Sequence, residues 1–369
     1  MKNTLFLAFI LLNTNLLAQH KHTRVGTFPN VGEYLTLKVD LHIHTIFSDG
    51  SVWPDIRVQE AQRDSLDLVS MTEHLEYQPH EEDIPHPDRN RSYELTSQLA
   101  KPYRLMVANG AEITRSMPPG HNNAIFIQDA NKLKVDDPLE AFKEANRQGA
   151  FVFWNHPNWI AQNEDGIAQM TDMHQQLIEE GLLHGIEVVN DLTYSDEALQ
   201  LALDYDLTIM GTSDVHGLVD WQYGIEHGGH RPITLVFAEE KTQESIKEAL
   251  MARRTVAWFR DLLIGRDSFL SPLIEASLEV EKVGYQGISS VVDVYIRNNS
   301  SVNYILANQS PYTLHANGDV FVLKANETTK IEVKTLKQLE ELVLDFEVLN
   351  GIVAPKKHPM IKLKIVVPE

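Results

Sequence analysis

Between residues 35 and 237 short apolar runs rich in β-branched residues alternate with stretches whose apolar positions recur every three or four residues. Such a switch of period predicts βα units around a mostly parallel sheet or barrel. Strands are expected at 35–44, 66–72, 103–113, 150–154, 185–189, 207–212 and 233–237, and helices at 54–64, 138–147, 196–204 and 243–253. Two stretches, 85–91 and 117–120, carry the Pro-rich composition of loops.

Beyond Phe259 the period changes to two, with Asn and Gly at the turns. Strands are predicted at 290–297, 302–307, 319–323, 329–334, 342–349 and 360–367, with a short helix at 336–341. Repeated short strands of this kind suit a small antiparallel β-sandwich of about 100 residues. The expected division is a leader at 1–18, an α/β domain at 19–259 and an all-β domain at 260–369.

The leader reading rests on three features in order. Lys2 supplies the positive start, residues 5–12 form an apolar run too short to span a bilayer, and Leu16-Leu17-Ala18 precedes Gln19 as a cleavage site. An exported protein, periplasmic or extracellular, is therefore expected, with no membrane span once the leader is removed. The absence of cysteine removes disulfides and thiolate ligands, so any metal must be held by nitrogen and oxygen.

With 43% hydrophobic and 23% charged residues the composition is that of a globular protein. Against 32 Lys and Arg stand 52 Asp and Glu, a formal charge of −20. That excess repels polyanions at long range, which disfavours nucleic acid and anionic membranes as partners. It does not exclude a small phosphorylated substrate, because bound divalent cations would make a site locally positive. Oligomeric state is not written in these features.

The sharpest chemical signal is Asp40-Leu-His42-Ile-His44, followed by Ser48-Asp49-Gly50. Side chains alternate along a strand, so Asp40, His42 and His44 share one face while Leu41 and Ile43 take the other. Imidazoles two residues apart can bite one metal or bridge two, and the turn returns the Asp49 carboxylate over the strand end. The pattern recurs at other strand ends, with His74, Glu112, His156, Asp214 and His216. In a barrel those ends converge on one mouth, so distant segments can deliver ligands to one point. Imidazole and carboxylate ligands without thiols favour Zn, Mn or Fe over the all-oxygen sites of Ca or Mg.

In this order the motifs resemble the polymerase and histidinol phosphatase (PHP) superfamily over roughly residues 39–236: Asp-x-His-x-His with Ser-Asp-Gly, Thr-x-His, Gly-x-Glu, His-Pro and Ser-Asp-x-His. The resemblance implies a distorted (β/α)7 barrel and two or three divalent metals held by His42, His44, Asp49, His74, Glu112, His156, Asp214 and His216. His121 falls where many members place a further ligand. One departure is Thr72-Glu73-His74, where the family more often has Thr-Asp-His; it is expected to alter a contact behind the ligands. The implied chemistry is phosphoester hydrolysis by a metal-bridged hydroxide, with Asp214 and His216 as catalytic candidates.

Arg115, three residues beyond Glu112, is a candidate to grip phosphate at the mouth, or an ordinary surface arginine. Glu187 reads as an orienting carboxylate behind a ligand. His80, His86, His174, His184, His227 and His230 lack strand-end context and read as solvated loop residues; Trp154, Trp159 and Trp221 either line the mouth or pack. Two rivals remain. An amidohydrolase-type metallohydrolase also starts from His-x-His, but it usually bridges its metals with a carboxylated lysine, where this chain has Glu112 and His156. A non-catalytic exported protein that binds metal or glycan is the other.

Overall fold

The structure, a computed structural model, describes residues 26–368. The leader at 1–18 lies outside the described residues.

Twelve strands form one curled sheet. They are β1 (Leu35–Ile43), β2 (Leu68–Met71), β3 (Met106–Ile113), β4 (Asn122–Ile125), β5 (Phe151–Trp154), β6 (Gly185–Asn190), β7 (Thr193–Tyr194), β8 (Thr208–Thr212), β9 (Ile233–Ala238), β10 (Thr255–Phe259) and β11 (Leu262–Gly265), with Gly351–Ile352 added beside β11. β1, β2 and β3 are parallel, as are β5, β6 and β8; β4 runs antiparallel between β3 and β5, and β9 antiparallel to β1. Every residue of β2, β5, β6, β8, β9 and β10 is buried. This is the expected pattern for strands covered on both faces, and it explains their unbroken apolar runs.

The curl closes at β8. Asp214 N–H donates to the His42 carbonyl at 2.8 Å and His44 N–H to the Val215 carbonyl at 3.2 Å, which sets the exits of β1 and β8 side by side. Further down, hydroxyls replace ladder bonds: Thr234 Oγ1 exchanges hydrogen bonds with both backbone groups of Gly211, and Thr255 Oγ1 donates to the Ile209 carbonyl. Gly211 is needed for this approach, since a Cβ there would lie 2.8 Å from the Ala257 Cβ and 3.0 Å from the Ile233 carbonyl.

Helices cover the outside: α1 (Pro54–Arg63), α2 (Arg91–Ala100), α3 (Pro138–Arg147), α4 (Asp172–Glu179), α5 (Asp196–Asp204), the one-turn α6 (Val219–Gln222), α7 (Gln243–Met251) and α8 (Asp267–Ser277). Their starts were marked in sequence. Pro is the first residue of α1 and α3, and the side chains of Asp137, Ser195 and Thr242 cap α3, α5 and α7.

The rest of the chain forms two four-stranded antiparallel sheets. One contains β12 (Leu278–Tyr285), β13 (Val291–Asn298), β15 (Thr313–Leu314) and β17 (Thr328–Lys334). The other contains β14 (Tyr304–Asn308), β16 (Val320–Leu323), β18 (Glu341–Val348) and β20 (Met360–Val366), with the Gly351–Ile352 strand numbered β19. Inward residues of both, among them Val294, Ile296, Ile331, Leu306, Leu344 and Phe346, share one buried cluster. The helix expected at 336–341 is absent: Leu336 has φ +65° and is 94% exposed, and Gln338 reaches back to the carbonyls of Gly287 and Ser289. Two leucines three apart suggested a helical face, but six residues cannot sustain one without packing.

Candidate metal centre

β1 carries the first ligands. His42 and His44 are wholly buried, and their Nε2 atoms stand 3.0 Å apart, each 3.1 Å from Asp214 Oδ1. Asp40 shares their strand face but turns away from them. Its carboxylate accepts from Ser213 N–H and Oγ and pairs with Arg231 at 3.0 Å, so it anchors the segment that presents Asp214.

The remaining candidates close around this pair. Glu112 lies 2.8 Å from His74 Nδ1, 2.7 Å from His121 Nδ1 and 3.6 Å from His156 Nε2. Asp49 sits 3.1 Å from His216 Nε2 and 3.4 Å from His74 Nε2. The ligand atoms fall into three groups tight enough to hold an ion each: His42 with His44 and Asp214; His44 with Asp49, His74 and His216; and His74 with Glu112 and His121. His156 stands outside these groups, beside Glu112 and 4.0 Å from Asp214 Oδ2.

The donor atoms suit cations. Asp49 Oδ1, Glu112 Oε2, Asp214 Oδ1 and His121 Nδ1 are buried and make no well-aligned hydrogen bond, although imidazole nitrogens and carboxylate oxygens crowd against one another here. Buried polar atoms are almost always satisfied, and a cation is the group that would satisfy four of them gathered in one place. Burial pushes the carboxyls of Asp49, Glu112 and Asp214 up, but the surrounding imidazoles outweigh it and hold all three well below the usual carboxylate range. His74 goes the other way for the same reason: despite burial, Glu112 and Asp49 push it up to about 11. Burial and the nearby His216 lower His44 to about 4.

Around the ligands lies a set of positioning groups. Glu187 accepts from His42 Nδ1 at 2.8 Å, from Thr212 Oγ1 at 2.6 Å and from the His156 N–H at 2.7 Å. It thereby fixes the His42 tautomer and leaves Nε2 free to face the centre. His156 and Asp214 both have positive φ, +29° and +50°, rare for residues with a Cβ. The Glu187 contact restrains the first, and the His42 carbonyl restrains the second. Glu73, the departure noted in the sequence, receives hydrogen bonds from Thr45, Ser48 and Ser92 and so pins the turn that carries Asp49, while His74 keeps its place.

Sequence reasoning missed Arg57. This buried side chain of α1 donates to the carbonyls of His44, Val215 and His216 at 2.8, 3.0 and 3.0 Å and pairs with Glu60 at 2.6 Å. It ties together the two exits that bear ligands. Nothing in the local pattern marks it, since an arginine on an amphipathic helix ordinarily faces water.

Arg115 does not reach the centre. Its guanidinium is held by Glu76 at 2.9 Å and by the carbonyls of Val135 and Asp136, away from the cavity wall. Two histidines read as solvated are instead buried: His86 lies against Phe47, and His174 stacks 3.8 Å from Trp154 and binds the Pro119 carbonyl; His230 is half-buried and stacks 3.8 Å from Trp258. Of the three tryptophans, Trp154 is core, Trp221 is 82% exposed outside the cavity, and Trp159 lines it.

The cavity over the cluster has a volume of about 730 Å³. The fold and this His, Asp and Glu centre define a metal-dependent hydrolase of the PHP class. A crystal structure from Bacteroides vulgatus, described as a two-domain protein containing a predicted PHP-like metal-dependent phosphoesterase, is similar at 41% identity and a TM-score of 0.87. The match covers 92% of this chain and 98% of that one. The chain belongs to this family of two-domain, PHP-like metal-dependent phosphoesterases.

Two other solved structures are more distant. A putative metal-dependent phosphoesterase from Bifidobacterium adolescentis shows 16% identity and a TM-score of 0.37 over 52% of this chain and 90% of its own. An amidohydrolase from Chromobacterium violaceum, with bound sulfate and no metal, shows 16% identity and a TM-score of 0.35 over 48% of this chain and 87% of its own. Likeness at that level carries no argument. Residues 278–364 match the family DUF5001, described as an Ig-like domain. No curated protein matches the sequence.

Proposed function

We propose that the protein hydrolyses phosphoesters with two or three divalent ions, Zn, Mn or Fe, held by His42, His44, Asp49, His74, Glu112, His121, His156, Asp214 and His216. In this reading the curled sheet is the distorted (β/α)7 barrel of the family. The observation that carries it is the convergence of four buried ligand atoms without a well-aligned hydrogen bond beneath one open cavity. Divalent ions bound there would supply an acidified water as nucleophile and a Lewis-acid hold on the phosphoryl oxygens. The chain's own groups do the rest. Glu187 keeps His42 oriented, and Glu73 and Arg57 hold the turns rigid, so that little reorganisation is needed as charge develops.

The amidohydrolase reading has less support. Among the described residues no lysine lines the cavity, so a bridging carboxylated lysine has no candidate among them. Export after removal of residues 1–18 is part of the proposal, and intact-mass measurement on exported protein checks it. The activity test is turnover of 4-nitrophenyl phosphate by protein saturated with Mn, Zn or Fe and by chelated protein. Metal-dependent release of nitrophenol is expected; no turnover with any of the three metals refutes the reading.

A further inference from the structure

Beyond its metal-facing floor, the cavity is walled by Tyr77, Asn158, Trp159, Asp191, Thr193 and Gln222. Among the described residues, none that lines it is a lysine or arginine. Arg115, the cation expected there, is engaged with Glu76 and two carbonyls. A second phosphate or carboxylate on the substrate would therefore enter a wall with no counter-charge, where Asp191 adds repulsion.

Asp191 is also poorly suited to receive a cation. Its Oδ1 already accepts from Gln222 Nε2 at 2.7 Å and from the Tyr223 hydroxyl at 3.2 Å. Those bonds fix its carboxylate as an acceptor at the cavity edge, facing a carboxamide.

Two exposed aromatic rings flank the metal ligands. Trp159, 45% exposed, meets His156 edge to face at 5.2 Å and tilts against His121 at 5.6 Å. Its turn is fixed by Trp159 N–H donating to the His156 carbonyl at 2.9 Å and by Asn163 N–H donating to the Trp159 carbonyl at 2.8 Å. Tyr77, 53% exposed, stands edge-on to His74 at 5.8 Å. A bare aromatic face suits the C–H side of a saturated ring, while carboxamides, a hydroxyl and a fixed carboxylate suit hydroxyl groups at its edge. The volume of about 730 Å³ falls within the range of small-molecule sites.

We infer that the alcohol portion of the substrate is a neutral hydroxylated ring, a sugar or cyclitol, packed on Trp159 with its hydroxyls toward Asn158, Asp191, Thr193 and Gln222. This rests on the phosphoesterase reading above and assigns the substrate class of the same site. Trp159 is then a specificity residue, touching the alcohol and not the reacting phosphoryl group.

The test uses the full chain loaded with Mn and compares kcat/KM for hexose and inositol monophosphates, a hexose bisphosphate, phosphocholine and 4-nitrophenyl phosphate. Monophosphates of neutral rings are expected to exceed the bisphosphate and phosphocholine by about tenfold or more. Trp159→Ala is expected to raise KM for the preferred ring monophosphate about tenfold with kcat within a few-fold, and Trp159→Phe to restore it. Equal or better turnover of the bisphosphate or of phosphocholine overturns the inference, as does a Trp159→Ala protein with unchanged KM. Hydrolysis of 4-nitrophenyl phosphate without preference for ring monophosphates defeats this inference alone. Failure to hydrolyse any member of the panel with Mn, Zn or Fe defeats the phosphoesterase reading with it.

Discussion

The curled sheet and the Ig-like region bury their strands in opposite ways. In β13, β18 and β20 buried residues alternate with more exposed ones, and the inward side chains are apolar except Asn298, whose Nδ2 donates to the Val302 and Leu323 carbonyls. In β6, β8 and β9 every residue is buried, and β6 places Glu187 at 1% exposure. The first arrangement leaves polar groups to water. The second gives polar groups no water, so each must find a partner, and those at the strand ends of the curled sheet find too few among themselves. Stability and chemistry are thus separated along the chain: the Ig-like region has a mainly apolar core, and the strand exits of the curled sheet form a polar centre suited to hold cations.

Substitution at the polar centre should abolish activity without unfolding the chain. His42→Ala, or Asp214→Ala, should lower phosphoester turnover about a thousandfold or more, with the circular dichroism spectrum unchanged. Wild-type turnover in His42→Ala would dissolve the contrast. Arg57→Ala lies between the two regimes, because it removes a buried cation from Glu60 and three backbone carbonyls. Loss of about 3–5 kcal/mol of stability is expected, read by chemical denaturation, along with weakened metal retention. Leu344→Ala, in the core of the Ig-like region, should cost about 2–5 kcal/mol and leave the metal content of the folded protein unchanged. Metal loss from folded Leu344→Ala would show that the two regions are not independent.

Smaller effects sharpen the same picture. Glu187→Gln keeps the shape but weakens the hold on His42, so metal affinity should fall about tenfold, by competition with a chelating dye. Metal binding should also strengthen as pH rises. In the metal-free centre Glu112 and Asp49 keep His74 protonated up to about 11, so an ion that takes its place must displace that proton. Calorimetry in buffers of different ionisation enthalpy should record proton release near neutral pH; uptake would contradict this.

Much of this was legible in the sequence because period and chemistry coincide there. The register of β1 put His42 and His44 on one face, and the rule that strand ends converge brought His74, Glu112, His156, Asp214 and His216 to the same mouth. His121 joined them through a strand that the pattern did not show. β4 is four residues long and opens with Asn122 and Asn123, both fully buried. Asn122 Nδ2 donates to the Pro119 and Gly120 carbonyls, and the backbone N–H of Asn123 donates to Asn155 Oδ1, so this segment reads as a loop yet lies in the core. Arg115 failed for a related reason: spacing gave it reach, but Glu76, from a distant loop, captured it. Arg57, Asp191 and Gln222 owe their places to contacts across the fold, and no periodicity announces such contacts.

The most direct test is to count metal ions per chain by elemental analysis after saturation with Mn, Zn or Fe and removal of excess. Three overlapping groups of ligand atoms predict two or three ions. One ion or none, in protein shown to be folded, would contradict the account.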